Sequence, residues 1–188
     1  MSERPRLILI PMFDAGEELN AAMAADLEDL LTEYTFEIKR PDSASNDAVL
    51  GQLSSNAPTL LIARDMLNPS PAVIESMVEA LEVFDIVLCP AFDGSLCAAS
   101  CYLEGNSAEP CAQALTEAFC NSSTDLGGLT RTLVNFGFHV MVQPPWYRAS
   151  SGEGALIFAL QHMEAMVLTE DEDFVAERTR MVLLKRSK

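Results

Sequence analysis

Short apolar runs alternate with segments of helical periodicity along most of this sequence. The runs span 7–10, 59–63, 85–89 and 138–142, and prolines, glycines or polar residues bound them. Continuous apolar runs of this length are typical of strands that are buried on both faces of a parallel sheet. Tyr34–Ile38 instead alternates polar and apolar residues, which predicts a strand nearer the edge of the sheet.

The segments between these runs place apolar residues three and four positions apart, which predicts amphipathic helices. One helix begins at Glu17, a second opens at Pro71, and a third spans 155–168. Proline is common in the first turn of a helix, which supports the second of these. Because strands and helices alternate, we expect a parallel sheet with helices on both faces. A length of 188 residues without a linker predicts a single domain, 1–188.

The stretch 84–105 has the composition of a strand, a binding loop and a second apolar element. The strand stops at Pro90, the loop 91–95 carries Gly and Ser, and an apolar run follows over 96–103. We interpret that run as a helix, because a helix after a strand and a polar loop presents the loop at the carboxyl edge of an open α/β sheet. The loop is then either a platform for a ligand ring or a plain connection in which Ser95 caps the helix.

The charge of the chain limits its partners. The formal charge is −16 and the pI is near 4.3, whereas nucleic acids and anionic membranes bind basic surfaces, so we expect neither as a partner. The apolar runs are far shorter than the roughly 20 residues that span a bilayer, and no signal core is evident, which predicts a cytoplasmic protein. Between 41 and 177 the cations are Arg64, Arg131 and Arg148. A phosphate-bearing ligand there depends on one of these three, on hydroxyls, or on backbone N–H groups at helix ends.

Five cysteines lie between Cys89 and Cys120. An odd number of cysteines in a chain without a secretory signal does not indicate a disulfide framework. Because no CxxC pair or neighbouring histidine completes a zinc site, we predict no metal. Two interpretations remain for the cysteines, namely small core residues or a redox pair.

Two groups of segments match the loops and strands of a known family. The first comprises Ala63–Leu67, Pro71–Val73, Asp85–Pro90, the Phe92-x-Gly94-Ser95 loop and the run 96–103. The second comprises Glu109–Pro110, Gly127–Gly128 and Leu133–Gly137, which leads into the strand 139–142. Together they resemble the flavodoxin-like NAD(P)H-dependent FMN reductases. The resemblance implies a flavodoxin-like three-layer αβα sandwich around a parallel five-stranded sheet of order 2-1-3-4-5.

The same resemblance implies an FMN-binding oxidoreductase that passes hydride from NAD(P)H to the flavin and on to a small-molecule acceptor. FMN is then the cofactor and NAD(P)H the co-substrate, and members of this family commonly form homodimers, with 144–147 a candidate contact here. The implied ligand contacts are Phe13, Asp14, Gly16 and Asn20 near the first helix; Pro90, Phe92, Asp93, Gly94 and Ser95 at the ring; and Ser123, Thr124, Gly127 and Gly128 in a second ring loop.

The first loop, 11–20, departs from the pattern of this family. It contains Asp14, Glu17 and Glu18 but neither Ser nor Thr. Since carboxylates repel a phosphate, an alternative is a divergent flavodoxin-like module without FMN, which recognises another small molecule or a protein partner. Trp146, which follows two prolines, belongs either to a packing or interface cluster or to a lid over a pocket.

Overall fold

The computed structural model describes residues 6–10, 16–32, 34, 37–41, 45–53, 57–120, 125–169 and 175–187. Within these ranges six strands form one sheet: β1 (Arg6–Ile10), β2 (Glu37–Lys39), β3 (Thr59–Ala63), β4 (Ile86–Pro90), β5 (Leu96–Cys101) and β6 (Val140–Val142). The α-helices of the same ranges are α1 (Glu17–Thr32), α2 (Asn46–Leu50), α3 (Pro71–Glu79), α4 (Ala108–Cys120), α5 (Leu126–Asn135), α6 (Glu153–Leu168) and α7 (Glu177–Arg186).

The sheet is mixed, with the strand order β2-β1-β3-β5-β4-β6. β1 pairs in parallel with β2 and β3, and β4 pairs in parallel with β6. β5 lies between β3 and β4 and is antiparallel to both. Five strands therefore share one direction, so their carboxyl ends meet at one edge. The predicted flavodoxin-like parallel sheet of five strands in the order 2-1-3-4-5 is wrong, because β5 separates β3 from β4.

The run that we interpreted as a helix after the 91–95 loop is β5. A tight turn reverses the chain: Gly94 N–H donates to Ala91 O at 2.9 Å, and Ala91 N–H donates to Ser95 O at 2.7 Å. Gly94 has φ +85°, a conformation that glycine adopts without strain. The turn places Leu96 opposite Pro90. All six residues of β5 are buried, so the run does not show the alternation of polar and apolar residues by which a half-buried strand is recognised in a sequence.

The sheet divides the core between its two faces. In β1, Ile8 points to the face covered by α2, α4 and α5, whereas Leu7 and Leu9 point to the face covered by α1 and α3. A third cluster joins α1, α6 and α7 with two residues of the connecting loops, Leu67 and Ala149. The third cluster therefore packs α6 beside the loops that follow the strands.

Several predicted elements are confirmed. The apolar runs at 7–10 and 59–63 are β1 and β3, and the helices predicted from Glu17 and Pro71 are α1 and α3. Ser70 caps α3, since its hydroxyl accepts from the N–H of Val73 at 3.4 Å. Among the described residues, no helix combines the length and the apolar character that crossing a membrane would require.

Candidate functional site

Three connecting segments meet at the carboxyl edge of the sheet. They are the loop 64–70 after β3, the turn 91–95 after β4 and the segment 143–152 after β6. Leu67 N–H donates to Tyr147 O at 2.9 Å, and Trp146 N–H donates to Pro90 O at 2.8 Å. The indole N–H of Trp146 also donates to Leu67 O at 2.9 Å. These hydrogen bonds hold the three segments together as one surface.

A buried ion pair lies beneath this surface. Asp65 is 1% exposed and Arg148 is 2% exposed. Arg148 Nε donates to Asp65 Oδ1 at 3.0 Å, and Arg148 Nη2 lies 3.0 Å from the same oxygen. Asp65 Oδ2 accepts from the backbone N–H of Ser150 at 3.1 Å. Charged groups are rarely buried this deeply unless they are paired, and here both oxygens of the carboxylate have partners.

The ion pair continues into the turn after β4. Arg148 Nη1 donates to Ser95 Oγ at 3.2 Å and to Leu96 O at 3.0 Å. Ser95 donates through both its hydroxyl, at 2.6 Å, and its backbone N–H, at 2.9 Å, to Asp93 Oδ1. Partial burial raises the pKa of Asp93, but the hydrogen bonds from Ser95 and the neighbouring charge of Arg148 lower it, and the net pKa is below its ordinary value. We call Asp65, Asp93, Ser95 and Arg148 the ionic cluster.

Four rings lie beside the ionic cluster and form what we call the aromatic cluster: Phe92, Trp146, Tyr147 and His162. The ring centroids of Phe92 and Tyr147 are 5.1 Å apart, and those of Tyr147 and His162 are 5.7 Å apart. Trp146 lies 5.5 Å from Tyr147 and 5.6 Å from His162. Phe92 is 56% exposed, so the cluster presents an aromatic face to solvent. Burial lowers the pKa of His162, which favours a neutral imidazole at pH 7.

The residues that the sequence predicted to contact the flavin ring have different structural roles. Pro90 is the last residue of β4, and Gly94 occupies the left-handed position of the turn. Phe92 belongs to the aromatic cluster, while Asp93 and Ser95 belong to the ionic cluster. The structure therefore brings these five residues together at the carboxyl edge.

The other predicted contacts belong to other segments of the chain or lie outside the described residues. The carbonyl of Gly16 accepts from the N–H of Asn20 at 2.9 Å, at the start of α1. Gly127 and Gly128 form the first turn of α5, where the N–H of Gly127 donates to the N-cap residue Asp125 at 3.1 Å. Phe13, Asp14, Ser123 and Thr124 lie outside the described residues.

Sequence reasoning missed the partners that complete the ionic and aromatic clusters. Arg148 is one of the three arginines that the sequence offers to a phosphate, but it is buried against Asp65, which follows β3. The sequence signal for Asp65 is a carboxylate two residues beyond a buried strand. His162 comes from α6, and its contact with Tyr147 has no local sequence signal.

The cysteines are free thiols, and all but Cys120 are buried. Burial raises the pKa of Cys89 to about 12 and that of Cys111 to about 12. Cys97 lies under the aromatic cluster, where its thiol is 3.7 Å from Tyr147 O, and burial raises its pKa as well. Thiols with raised pKa values form little thiolate, which favours the core interpretation over a redox pair.

Comparisons with known proteins define the fold of this chain. No protein-family model matches the sequence, and no curated protein matches it. A crystal structure from Desulfovibrio desulfuricans G20, provisionally assigned as a nucleotide-diphospho-sugar transferase, matches with a TM-score of 0.59 and 12% identity, over 79% of this chain and 82% of that one. The 4-diphosphocytidyl-2C-methyl-D-erythritol synthase of Anaerococcus prevotii DSM 20548 matches with a TM-score of 0.48 and 11% identity, over 86% of this chain and 99% of that one.

At this level of identity the first match shows a shared fold. That fold, with its mixed sheet, overturns the flavodoxin-like resemblance and both functions derived from it. The prediction of a flavoprotein oxidoreductase that passes hydride from NAD(P)H to a flavin is wrong, and so is that of a flavodoxin-like module without FMN. FMN and NAD(P)H were implied by the resemblance alone and lose that support.

A divalent cation does not fit the ionic cluster. Transfer of phosphate-bearing groups commonly uses a divalent cation that carboxylates and the substrate phosphates hold together. The buried carboxylate of the ionic cluster, Asp65, already accepts from Arg148 and from Ser150 N–H. Within the described ranges, no group of three His, Cys, Asp or Glu side chains could hold a metal ion. The positive charge beside Asp65 is therefore a guanidinium of the protein itself.

Proposed function

We propose that this chain recognises a nucleotide sugar, or the nucleoside part of one, at the carboxyl edge of its sheet, and that it does so without a divalent cation. The observation that carries the proposal is the aromatic cluster, in which Phe92 is 56% exposed and its ring centroid lies 5.1 Å from that of Tyr147. The shared fold with a protein assigned as a nucleotide-diphospho-sugar transferase supports the ligand class. Open α/β sheets also bind ligands at this edge.

The aromatic cluster provides the affinity in this proposal. A nucleobase has a flat face that stacks on aromatic side chains, and such stacking contributes about 1–3 kcal/mol per base. The backbone hydrogen bonds of Leu67 and Trp146 hold the rings in place before a ligand arrives. A preformed face of this kind reduces the conformational entropy that binding costs.

The ionic cluster explains why no metal is needed to keep the edge intact. A buried Asp65 needs a neighbouring positive charge. Arg148 provides that charge from within the protein, so a metal ion is not required for it. Because the guanidinium makes hydrogen bonds to Asp65, Ser95 and Leu96, it acts on the ligand only by positioning the turn. The proposed activity is thus recognition, with no transfer step assigned to these residues.

A diphosphate has a different candidate partner at the same edge. Arg64 directly follows β3 and its side chain is exposed. An exposed guanidinium can form paired hydrogen bonds with phosphate oxygens. In a chain with a net charge of −16 this cation makes a phosphate contact less costly. We therefore assign the ring to Phe92 and the phosphates to Arg64.

The single tryptophan of the chain, Trp146, belongs to the aromatic cluster and provides an intrinsic probe. Nucleosides, nucleoside diphosphates and nucleotide sugars are titrated while tryptophan fluorescence is recorded, with correction for ligand absorbance. The expected result is saturable quenching that is the same in MgCl2 and in EDTA. Quenching that requires Mg2+ would contradict recognition without a metal, and the absence of binding across the panel, checked by calorimetry, would contradict the ligand class.

Variants separate the two assignments. Phe92→Ala should weaken binding of nucleosides and nucleotide sugars alike by roughly 5- to 150-fold, the equivalent of 1–3 kcal/mol, whereas Phe92→Tyr keeps a ring and should bind normally. Arg64→Ala should weaken only the ligands that carry phosphate. The matched control is Phe158→Ala, which removes a ring of similar exposure, 60%, from α6. Equal losses in Phe92→Ala and Phe158→Ala would argue against a specific stacking face.

A further inference from the structure

Two exposed side chains of different chemistry lie at the tip of the turn after β4. The N–H of Gly94 donates to Ala91 O at 2.9 Å, which closes a β-turn with Phe92 and Asp93 at its two central positions. Both residues are exposed. The turn therefore presents an aromatic ring and a carboxylate next to each other at the carboxyl edge of the sheet.

The carboxylate of Asp93 is oriented by its own turn and by the buried ion pair. Its Oδ1 accepts from the hydroxyl of Ser95 at 2.6 Å and from the backbone N–H of Ser95 at 2.9 Å. The same hydroxyl accepts from Arg148 at 3.2 Å, so the ion pair holds the residue that holds Asp93. Partial burial raises the pKa of Asp93, but these hydrogen bonds and the charge of Arg148 bring it below its ordinary value, so the group is ionised at pH 7.

Asp93 keeps the capacity to accept a hydrogen bond from a ligand. An ionised carboxylate has roughly four acceptor positions. Ser95 uses two of them, and the hydroxyl of Ser151, which also lowers the pKa of Asp93, has a single proton to donate and uses at most one more. At least one acceptor position of an exposed, oriented carboxylate therefore remains for a donor.

The charge at this position restricts the part of a ligand that Asp93 can contact. The ionic cluster contains two carboxylates, Asp65 and Asp93, and one guanidinium, Arg148, so its net charge is −1. Arg148 is buried against Asp65 at 3.0 Å, and the excess negative charge is that of the exposed Asp93. A phosphate would be repelled here. The group that contacts Asp93 must therefore be a hydrogen-bond donor without negative charge.

We propose that Asp93 accepts a hydrogen bond from a ribose hydroxyl of a nucleoside whose base stacks on Phe92, and that it makes the site selective for ribonucleosides over their deoxy forms. This inference rests on the function proposed above and names the pentose that it recognises. Ribose is joined directly to the base, carries no charge and has hydroxyl donors. The phosphates lie further along the ligand, which agrees with their assignment to Arg64, because β3 and β4 are two strand spacings, roughly 10 Å, apart.

The turn by itself does not require a carboxylate at this position. Asparagine, serine and threonine also accept from a backbone N–H two residues further along, as Asp93 does from Ser95. The geometry of the turn thus explains a side-chain oxygen at residue 93 but not its charge. A site that hydrogen-bonds a ligand hydroxyl through a charged group rejects the analogue that lacks the hydroxyl, and this provides the test.

The experiment compares nucleosides that differ in one hydroxyl. Adenosine, cytidine, guanosine and uridine, each with its 2′-deoxy and 3′-deoxy form, are titrated into the parent chain and into Asp93→Ala while Trp146 fluorescence is recorded. For the parent chain, at least one deoxy form should bind roughly 10-fold more weakly than its ribonucleoside, the effect of one hydrogen bond to a charged group. In Asp93→Ala that ratio should fall to near one, because the hydroxyl has lost its partner.

The ratio of the two affinities separates a ligand contact from a role in the turn. A variant that only distorts the turn weakens both members of a pair equally, so an unchanged ratio in Asp93→Ala would overturn the inference. Asp93→Asn keeps an oxygen for the N–H of Ser95 and should also lower the ratio, so the test does not depend on how the turn tolerates alanine. Circular dichroism checks that both variants are folded.

A control at the opposite edge of the sheet tests whether net charge alone is responsible. Asp85→Ala also removes a carboxylate that accepts from a backbone N–H, and it should keep the ratio of the parent chain. An equal fall in Asp85→Ala would contradict a contact at Asp93. Equal binding of every ribonucleoside and its deoxy forms by the parent chain would overturn this inference and leave the proposed function in place. No binding of any nucleoside or nucleotide sugar would overturn both.

Discussion

Two aspartates at opposite edges of the sheet each contact a side-chain nitrogen, but one contact is buried and the other is exposed. At the carboxyl edge, Asp65 and Arg148 have side chains 1% and 3% exposed. At the amino edge, Asp85 precedes β4 and His139 precedes β6, their side chains are 42% and 80% exposed, and His139 Nδ1 lies 3.2 Å from Asp85 Oδ2. Water screens the second pair and not the first, so only the first should determine local structure.

The largest expected effect comes from breaking the buried pair. Asp65→Leu or Arg148→Leu alone leaves one buried charge without its partner, and each should lower the free energy of unfolding by about 3–5 kcal/mol. The double variant removes both charges and should recover much of that loss. Urea denaturation of the three variants measures this. A double variant as unstable as the sum of the single variants would show that the pair stabilises the fold in its own right.

Ser95 links the buried pair to the turn after β4. Ser95→Ala removes the hydroxyl that accepts from Arg148 and donates to Asp93, which should cost about 1–3 kcal/mol because Arg148 keeps an unsatisfied donor. Ser100→Ala is the control with a change of equal size, since its buried hydroxyl donates to Met77 O at 2.6 Å, away from any charge. The loss at Ser95, measured by urea denaturation, should exceed that at Ser100. A larger loss at Ser100 would show that the hydrogen bonds of Ser95 within the ionic cluster contribute little to the free energy of unfolding.

The stability of the fold should also depend on pH, through the histidine of the aromatic cluster. His162 in the aromatic cluster has a pKa lowered by burial from its ordinary value of 6.5. The unfolded chain therefore binds a proton more readily than the folded one, so this residue stabilises the fold fully above pH 6.5 and loses that contribution as the pH falls towards the folded pKa. The melting temperature should drop between pH 7 and pH 5.5, and His162→Gln should reduce that drop. The same slope in both proteins would assign it to other groups.

The smallest expected effect belongs to the exposed pair. His139→Ala removes the imidazole beside Asp85 but keeps the backbone N–H of residue 139, which donates to Asp85 Oδ2 at 2.7 Å. The change in the free energy of unfolding should lie within about 1 kcal/mol and should vanish at high salt. Urea denaturation at two NaCl concentrations measures both. A loss comparable to that of Asp65→Leu would remove the distinction between the two edges.

Elements with strong local patterns could be predicted from the sequence, and so could part of the site. The buried runs at β1 and β3 and the start of α3 at Pro71 follow from residues that are neighbours in the chain. The position of the 91–95 loop at the end of a strand also followed from Pro90, Gly94 and Ser95. The prediction of a helix over 96–103 was wrong, since Leu96–Cys101 is β5. A short run of small, buried residues is compatible with a strand and with a helix.

The composition and the local patterns by themselves determined an α/β chain with a set of nearly continuous apolar strands, an acidic surface and a turn at the end of β4. The tertiary structure alone decided that β5 enters the sheet between β3 and β4, and that Arg148 meets Asp65, 83 residues away. The reason is physical: periodicity is set by neighbouring residues, whereas strand order and buried ion pairs depend on surfaces that distant segments bury together. The flavodoxin-like resemblance rested on local motifs, so it reproduced the turn and missed the strand that gives the fold its topology.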